Sequence, residues 1–210
     1  LLFHYGTPEQ ICSWPGRPRE ALGFPARIVE RFSGGEVARA LDLGCAVGRS
    51  AFELSRTAAE VVAIDYSQAF VDAGKTMQAA GRCEVSRLEE AHRRQSIMVE
   101  VPAGTRPGRI TFERGDAMNL RAELGGFDRV LAANLLCRLS EPGRLLVRLP
   151  ELVKSGGELI LTTPCTWLEE FTPEAHWPPG STLDWLKSEL SARFELLEEH
   201  DEPFLIRETA

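Results

Sequence analysis

The chain has 210 residues, 43% of them hydrophobic and 26% charged, and a formal net charge of −7. That length predicts one domain, 1–210, able to bury a core, and the acidic balance argues against a nucleic-acid surface. No apolar run approaches the ~20 residues of a membrane span. Five cysteines without a CxxC pair or a secretory leader predict reduced thiols in the cytoplasm. Leu1 in place of Met gives the expectation that residues precede it.

Residues 1–19 are rich in aromatic residues and proline (Phe3, His4, Tyr5, Pro8, Trp14, Pro15, Pro18) and read as an N-terminal segment packed as a cap or lid. A helix is predicted from Glu20 to Phe32, with Ala21, Phe24, Ile28, Val29 and Phe32 on one face, ended by Gly34-Gly35. Strands are then predicted at 39–43, 60–65, 109–114, 127–133 and 157–163, and helices at 48–57, 67–80, 141–153 and 182–191. Alternation of this kind predicts a parallel sheet with helices on both faces. Arg193–His200 and Pro203–Arg207 read as a closing hairpin, which would make the last strand antiparallel. Residues 82–108, with Pro102, Gly104, Pro107 and Gly108, exceed what a crossover needs and read as an insertion. It is either a cover on the substrate side or a surface excursion. Glutamates 84, 89, 90, 100 and 113 break up its arginines into a solvated face.

Residues 41–48 read Leu-Asp-Leu-Gly-Cys-Ala-Val-Gly, and Asp65 closes the next apolar run. Gly44 and Gly48 allow the chain to turn and approach a ligand closely. The helix that follows, from Arg49-Ser50, would aim backbone N–H groups at that ligand. An acid about 20 residues past the first glycine suits ribose hydroxyls, although Asp65 also reads as a cap beside Ser67. A dinucleotide fingerprint would need glycines where Ala46 and Arg49 stand, which disfavours a nicotinamide dehydrogenase. Gly115-Asp116-Ala117-Met118 follows the third predicted strand, and Asn134 ends the fourth, where open α/β sheets bind ligands. Each has a plainer reading: a turn with a core methionine, and a turn cap. Lys154-Ser155-Gly156-Gly157 is the turn before the fifth strand.

The pattern Asp42-x-Gly44-x-Ala46-x-Gly48 resembles motif I of the class I S-adenosylmethionine (SAM)-dependent methyltransferases, with Ala46 where that family usually has glycine. The resemblance covers 38–163. It implies an α/β, Rossmann-like class I methyltransferase fold: a seven-stranded, mostly parallel sheet with an antiparallel last strand and helices on both faces. SAM is the implied cofactor and S-adenosylhomocysteine the product. Asp42 is implied at the methionine ammonium, Gly44, Cys45, Ala46 and Gly48 along the amino-acid part, and Asp65 with Tyr66 at the ribose. Asp116, Ala117 and Met118 are implied around adenine, and Asn134 at the transferred methyl.

The flanks are more specific. Leu1–Gln10, Thr166-Trp167-Leu168-Glu169-Glu170 and Pro203–Glu208 look like those of the 5-thiohistidine N-methyltransferases of ovothiol biosynthesis, although 177–181 looks shorter than expected. That family occurs as separate proteins or joined to the iron-dependent 5-histidylcysteine sulfoxide synthase. The resemblance implies a small-molecule substrate, methylation of the ring nitrogen nearest the side chain, and ovothiol A as product. Arg138, Trp167 and Arg207 are candidates for substrate binding; Arg138, at helical spacing from Asn134, is the first choice for the carboxylate, with Arg17 and Arg19 behind it. His4, Tyr5 and Asn134 are candidates for catalysis, and His176 is a further base. No metal-ligand cluster is evident. The competing readings are a methyltransferase for another amine or imidazole, and a SAM-binding module without chemistry that docks on the sulfur-inserting enzyme.

Overall fold

The computed structural model describes residues 1–12, 14–16 and 18–205. Its strands are β1 (Val37–Leu43), β2 (Ala58–Asp65), β3 (Arg82–Glu90), β4 (Arg93–Glu100), β5 (Ile110–Arg114), β6 (Phe127–Ala133) and β7 (Val153–Thr162). Its α-helices are α1 (Leu2–Tyr5), α2 (Pro8–Ile11), α3 (Phe24–Val29), α4 (Arg49–Leu54), α5 (Gln68–Ala80), α6 (Pro142–Leu152) and α7 (Thr182–Leu190). Five strands form one parallel sheet in the order β5-β2-β1-β6-β7. The centre of that sheet is apolar on both faces, as parallel strands require. On one face Ala40, Val61, Ala63 and Leu131 pack under helices α3, α4 and α5. On the other, Leu41, Leu43, Val62 and Val130 pack against α6 and α7, where Leu145, Leu149 and Leu152 form a stripe. The chain moves outward from β1 to β2 and β5, then returns to the other side of β1 at β6. That reversal opens a crevice at the carboxyl ends of β1 and β6, the place where such sheets bind ligands.

The predicted fold class holds, but two details differ. Among the described residues the main sheet has five strands, not seven, and its last strand runs parallel. The antiparallel pair is instead β3–β4, built from residues 82–100 of the insertion. Residues 194–205 form no strand, so the predicted closing hairpin is absent among the described residues, and residues 206–207 lie outside them. The reason is visible in Leu196 and Leu197, which are 60% and 76% exposed: two consecutive apolar residues in solvent have no sheet face to enter. Side chains tie this tail down instead. Arg27 bridges to Glu202 (2.6 Å) and donates to the Pro203 carbonyl, and the rings of Phe24 and Phe204 lie 5.4 Å apart.

The predicted helix 20–32 shrinks to Phe24–Val29, because Gly23 is left-handed (φ +70°) and Pro25 fits only a first turn. Residues 1–12 pack down through α1 and α2. Gln10 donates to the Met98 carbonyl (3.1 Å) and Arg87 donates to the Gln10 carbonyl, so the β3–β4 hairpin holds this segment in place. No helix among the described residues is long and apolar enough to cross a membrane.

Candidate active site

The glycine loop between β1 and α4 is the base of the site. Gly44 (φ +70°) packs so close to Leu135 that a Cβ would come within 2.9 Å of its side chain. Ala46 also adopts the left-handed region (φ 47°), a conformation that costs an alanine roughly 1–2 kcal/mol. Asp65 offsets part of that cost. One of its carboxylate oxygens accepts the Ala46 N–H and the other the Ser67 N–H, both at 2.8 Å. Asp65 therefore braces the loop while lining the cavity.

A second brace comes from the N-terminal helix. The Tyr5 hydroxyl donates to the Val47 carbonyl at 2.7 Å, and Arg49 donates to the His4 carbonyl at 2.8 Å. Burial pushes the Tyr5 phenol far above its ordinary range. Tyr5 does not line the cavity. That is the correction to its candidacy for catalysis: its hydroxyl is committed beneath the loop.

A cavity of about 690 Å³ opens over the loop at the carboxyl ends of the strands. Asp42, Gly44, Cys45, Ala46 and Ser50 line it from the end of β1, the loop and the helix that follows. Asp65, Tyr66, Asp116, Ala117, Met118, Asn134 and Arg138 line it from the ends of the other strands and the segments after them. Gly48 stays behind the loop, pressed against the Phe112 ring, to which a Cβ would approach within 2.5 Å.

Asp42 is 1% exposed, and its Oδ2 is buried with no hydrogen-bond partner. Burial first, and then the nearby Asp65 carboxylate, pushes its pKa up to about 7. A buried carboxylate with one oxygen unpartnered is expensive without a cationic partner. The ammonium of a methionine moiety lying along the loop supplies one, so the residues present fit SAM at this end.

The other walls are held by local turns. Asp116 Oδ1 accepts the Met118 N–H (2.9 Å) and shapes the turn after β5. Met118 in turn receives Ser140 and the Glu141 N–H at its sulfur, each at 3.4 Å. Tyr66 is exposed, with the Arg114 guanidinium 5.8 Å from its ring. Asn134 takes a left-handed conformation (φ 52°) that asparagine tolerates, and its Oδ1 accepts from Thr162 at 3.0 Å. Burial raises the Cys45 thiol, so it lines the cavity as a neutral group.

His4 also lines the cavity. Its Nδ1 is buried without a partner, and burial, followed by neighbouring positive charge including Arg49, lowers the ring to about 4. The imidazole is neutral at neutral pH and too weak a base to hold a proton there.

Trp167 does not reach the cavity. Its indole N–H donates to Thr182 (2.9 Å) and its ring meets Trp185 edge-on at 6.0 Å, which corrects its candidacy for substrate binding. His176 and Arg19 also lie away from it; Arg19 pairs with Glu9 at 3.5 Å. Arg17 and Arg207 lie outside the described residues. Sequence reasoning missed the apolar roof: Phe3, Phe24, Phe171, Phe204 and Leu205, with Glu170 beside them. Phe3, Glu170, Phe204 and Leu205 fall in the flanking segments that carry the closer resemblance, and Phe24 on the predicted helix face, but no spacing pattern brought them together.

A family model described as a methyltransferase domain matches residues 41–161. A search of curated proteins gives no match. Among solved structures, the chain is similar to the YcgJ protein of Bacillus subtilis, with a TM-score of 0.57 and 15% identity over 81% of this chain and 67% of that one. It is also similar to a TehB-like SAM-dependent methyltransferase from Corynebacterium glutamicum, with a TM-score of 0.50 and 16% identity over 79% of this chain and 71% of that one. A third similarity is to the [4+2]-cyclase SpnF, with a TM-score of 0.48 and 25% identity over 65% of this chain; the match spans only 42% of SpnF. With more than half of its length inside the family model, and with an acid-lined glycine loop suited to SAM, this chain belongs to the methyltransferase domain family.

Proposed function

We propose that this domain transfers the methyl group of SAM to the ring nitrogen nearest the side chain of 5-thiohistidine, giving ovothiol A. SAM-dependent methyl transfer follows from family membership. The substrate reading is supported by the flanking sequence segments and by one structural observation: Arg138 lines the same cavity as Asp42, with its guanidinium over the Phe171 ring, 4.2 Å from the centroid. An uncommitted, plane-fixed guanidinium is suited to a carboxylate.

SAM supplies an already activated methyl on a sulfonium, so the protein's task is largely positioning. Asp42 offers the buried charge for the ammonium. Asp65 with Tyr66 faces the ribose, and Asp116, Ala117 and Met118 frame adenine. Asn134, fixed by Thr162, borders the space between donor and acceptor. The apolar roof excludes water and holds a flat ring. Attack by nitrogen in preference to sulfur requires reacting atoms roughly 3–3.5 Å apart and in line, which is a matter of which edge of the ring is presented. His4, neutral at neutral pH, is not suited to carry off a proton. The same reading places the domain in the cytoplasm, with a functional link or fusion to the 5-histidylcysteine sulfoxide synthase.

The test is incubation with SAM and 5-thiohistidine, with products read by mass spectrometry and NMR. One added methyl on the ring nitrogen is expected. Tight S-adenosylhomocysteine binding without methylated product would overturn the substrate.

A further inference from the structure

The cavity lining carries two opposite charges that do not pair with each other. Arg138 and Glu170 both line it, yet among the described residues neither forms an ion pair. They are held by one turn. Leu168 accepts the N–H groups of Phe171 (3.0 Å) and Thr172 (2.9 Å), which closes the turn. Thr172 is fully buried and its hydroxyl donates to the Leu139 carbonyl at 2.7 Å, next to Arg138. The Trp177 indole N–H then donates to the Thr172 carbonyl, also at 2.7 Å. Phe171 is thereby fixed, and its ring carries the Arg138 guanidinium at 4.2 Å. Stacking on a ring leaves the donor edge of a guanidinium open for a bidentate partner. Glu170, the residue before that ring, presents the opposite charge to the same space.

We propose that this turn and Arg138 form a clamp for the zwitterionic end of an amino-acid substrate, with Arg138 on the α-carboxylate and Glu170 on the α-ammonium. The inference rests on the reading of the substrate as 5-thiohistidine and adds what recognises its non-reacting end. A cation and an anion that leave each other unpaired across a cavity match a ligand carrying both signs on one carbon. Both side chains are exposed to solvent, so a zwitterion gains a charge-assisted contact at each, whereas a simple amine or a simple acid engages only one of them. The clamp also orients the ring: the nitrogen nearest the anchored side chain is held in a fixed position relative to the methyl, whereas the sulfur stands on the ring carbon on the other side of the side-chain attachment.

The experiment compares three substrates: 5-thiohistidine, its decarboxylated amine analogue and its deaminated propionate analogue. The unaltered protein is expected to lose about 10- to 100-fold in kcat/KM with either analogue, the range for one charge-assisted hydrogen bond. Arg138→Ala should treat 5-thiohistidine and the amine analogue alike, and Arg138→Lys should restore part of the difference. Glu170→Gln should treat 5-thiohistidine and the propionate analogue alike. Calorimetric affinity for S-adenosylhomocysteine should stay within about twofold in each variant, which shows that the fold and cofactor end are intact. If the variants keep the full discrimination while the protein methylates 5-thiohistidine, the clamp is overturned and the function stands. If the unaltered protein binds S-adenosylhomocysteine but methylates none of the three, the substrate reading falls and the clamp with it.

Discussion

Replacing Asp42 by Asn should make the ligand-free protein more stable and a poorer binder of its cofactor. Asp42 is buried, its pKa stands at about 7 against an ordinary 3.8, and its Oδ2 has no partner. Because the folded-state value is the higher one, the folded protein holds this proton more tightly than the unfolded chain. Stability linked to it is therefore fully present below pH ~4 and is lost as pH rises towards 7. The gap of about 3 pH units, 7 − 3.8, corresponds to roughly 4 kcal/mol. Water entering the cavity mouth reduces this, so a gain of about 2–4 kcal/mol is expected for Asp42→Asn at pH 8. The gain should vanish near pH 4, where both side chains are neutral. Urea denaturation at several pH values measures it. Calorimetry with S-adenosylhomocysteine should show affinity rising between pH 6 and 8 in the unaltered protein, and a flat profile about 10- to 100-fold weaker in the variant. If Asp42→Asn destabilises the ligand-free protein at pH 8, the carboxylate is compensated before ligand arrives and the reasoning fails.

Tyr5→Phe should cost about 1–3 kcal/mol by leaving the Val47 carbonyl unpaired, with the pH profile of kcat unchanged; a shifted profile would restore Tyr5 as a proton carrier. Two substitutions in the glycine loop should have opposite signs in thermal denaturation. Ala46→Gly relieves a left-handed alanine and should gain about 1 kcal/mol, whereas Gly48→Ala adds a Cβ against Phe112 at φ +87° and should lose about 2–5 kcal/mol. Arg27→Ala should release the 202–205 tail from the roof and speed S-adenosylhomocysteine dissociation about tenfold in stopped-flow measurements. An unchanged dissociation rate would show that ligand leaves by another side.

What the sequence revealed was local. Asp42, Gly44, Gly48 and Asp65 are legible because a strand, a tight turn, a helix start and a second strand fix their spacing through the backbone alone. The residues around Asp116 and Asn134 follow for the same reason, Asp116 sitting two residues and Asn134 one residue past a strand end. The β3–β4 hairpin was hidden by its charge: only Ile97, Val99 and the occasional partner point inward, and its turn uses Ala91 at φ 48° where a glycine or asparagine would have signalled it. The tail erred the other way, since Leu196 and Leu197 look like strand residues and lie in solvent. Tyr5 and Trp167 show the limit for aromatic residues. Proximity in sequence to a site does not say whether a polar tip faces the cavity, and both tips are bound to protein atoms instead. The roof was legible only in its N-terminal part, because it joins residues 3, 24, 171 and 204 across the whole length of the chain.

Tyr5 and Asp65 hold the glycine loop from opposite sides, and this has a thermodynamic consequence. The loop's shape is already fixed by the protein, so cofactor binding need not order it and its entropy is spent beforehand, during folding. The ordering that remains falls on the roof, whose segments are tied by a few side-chain bonds. Binding of S-adenosylhomocysteine should therefore slow amide hydrogen exchange in residues 21–25 and 198–205 far more than in residues 44–50.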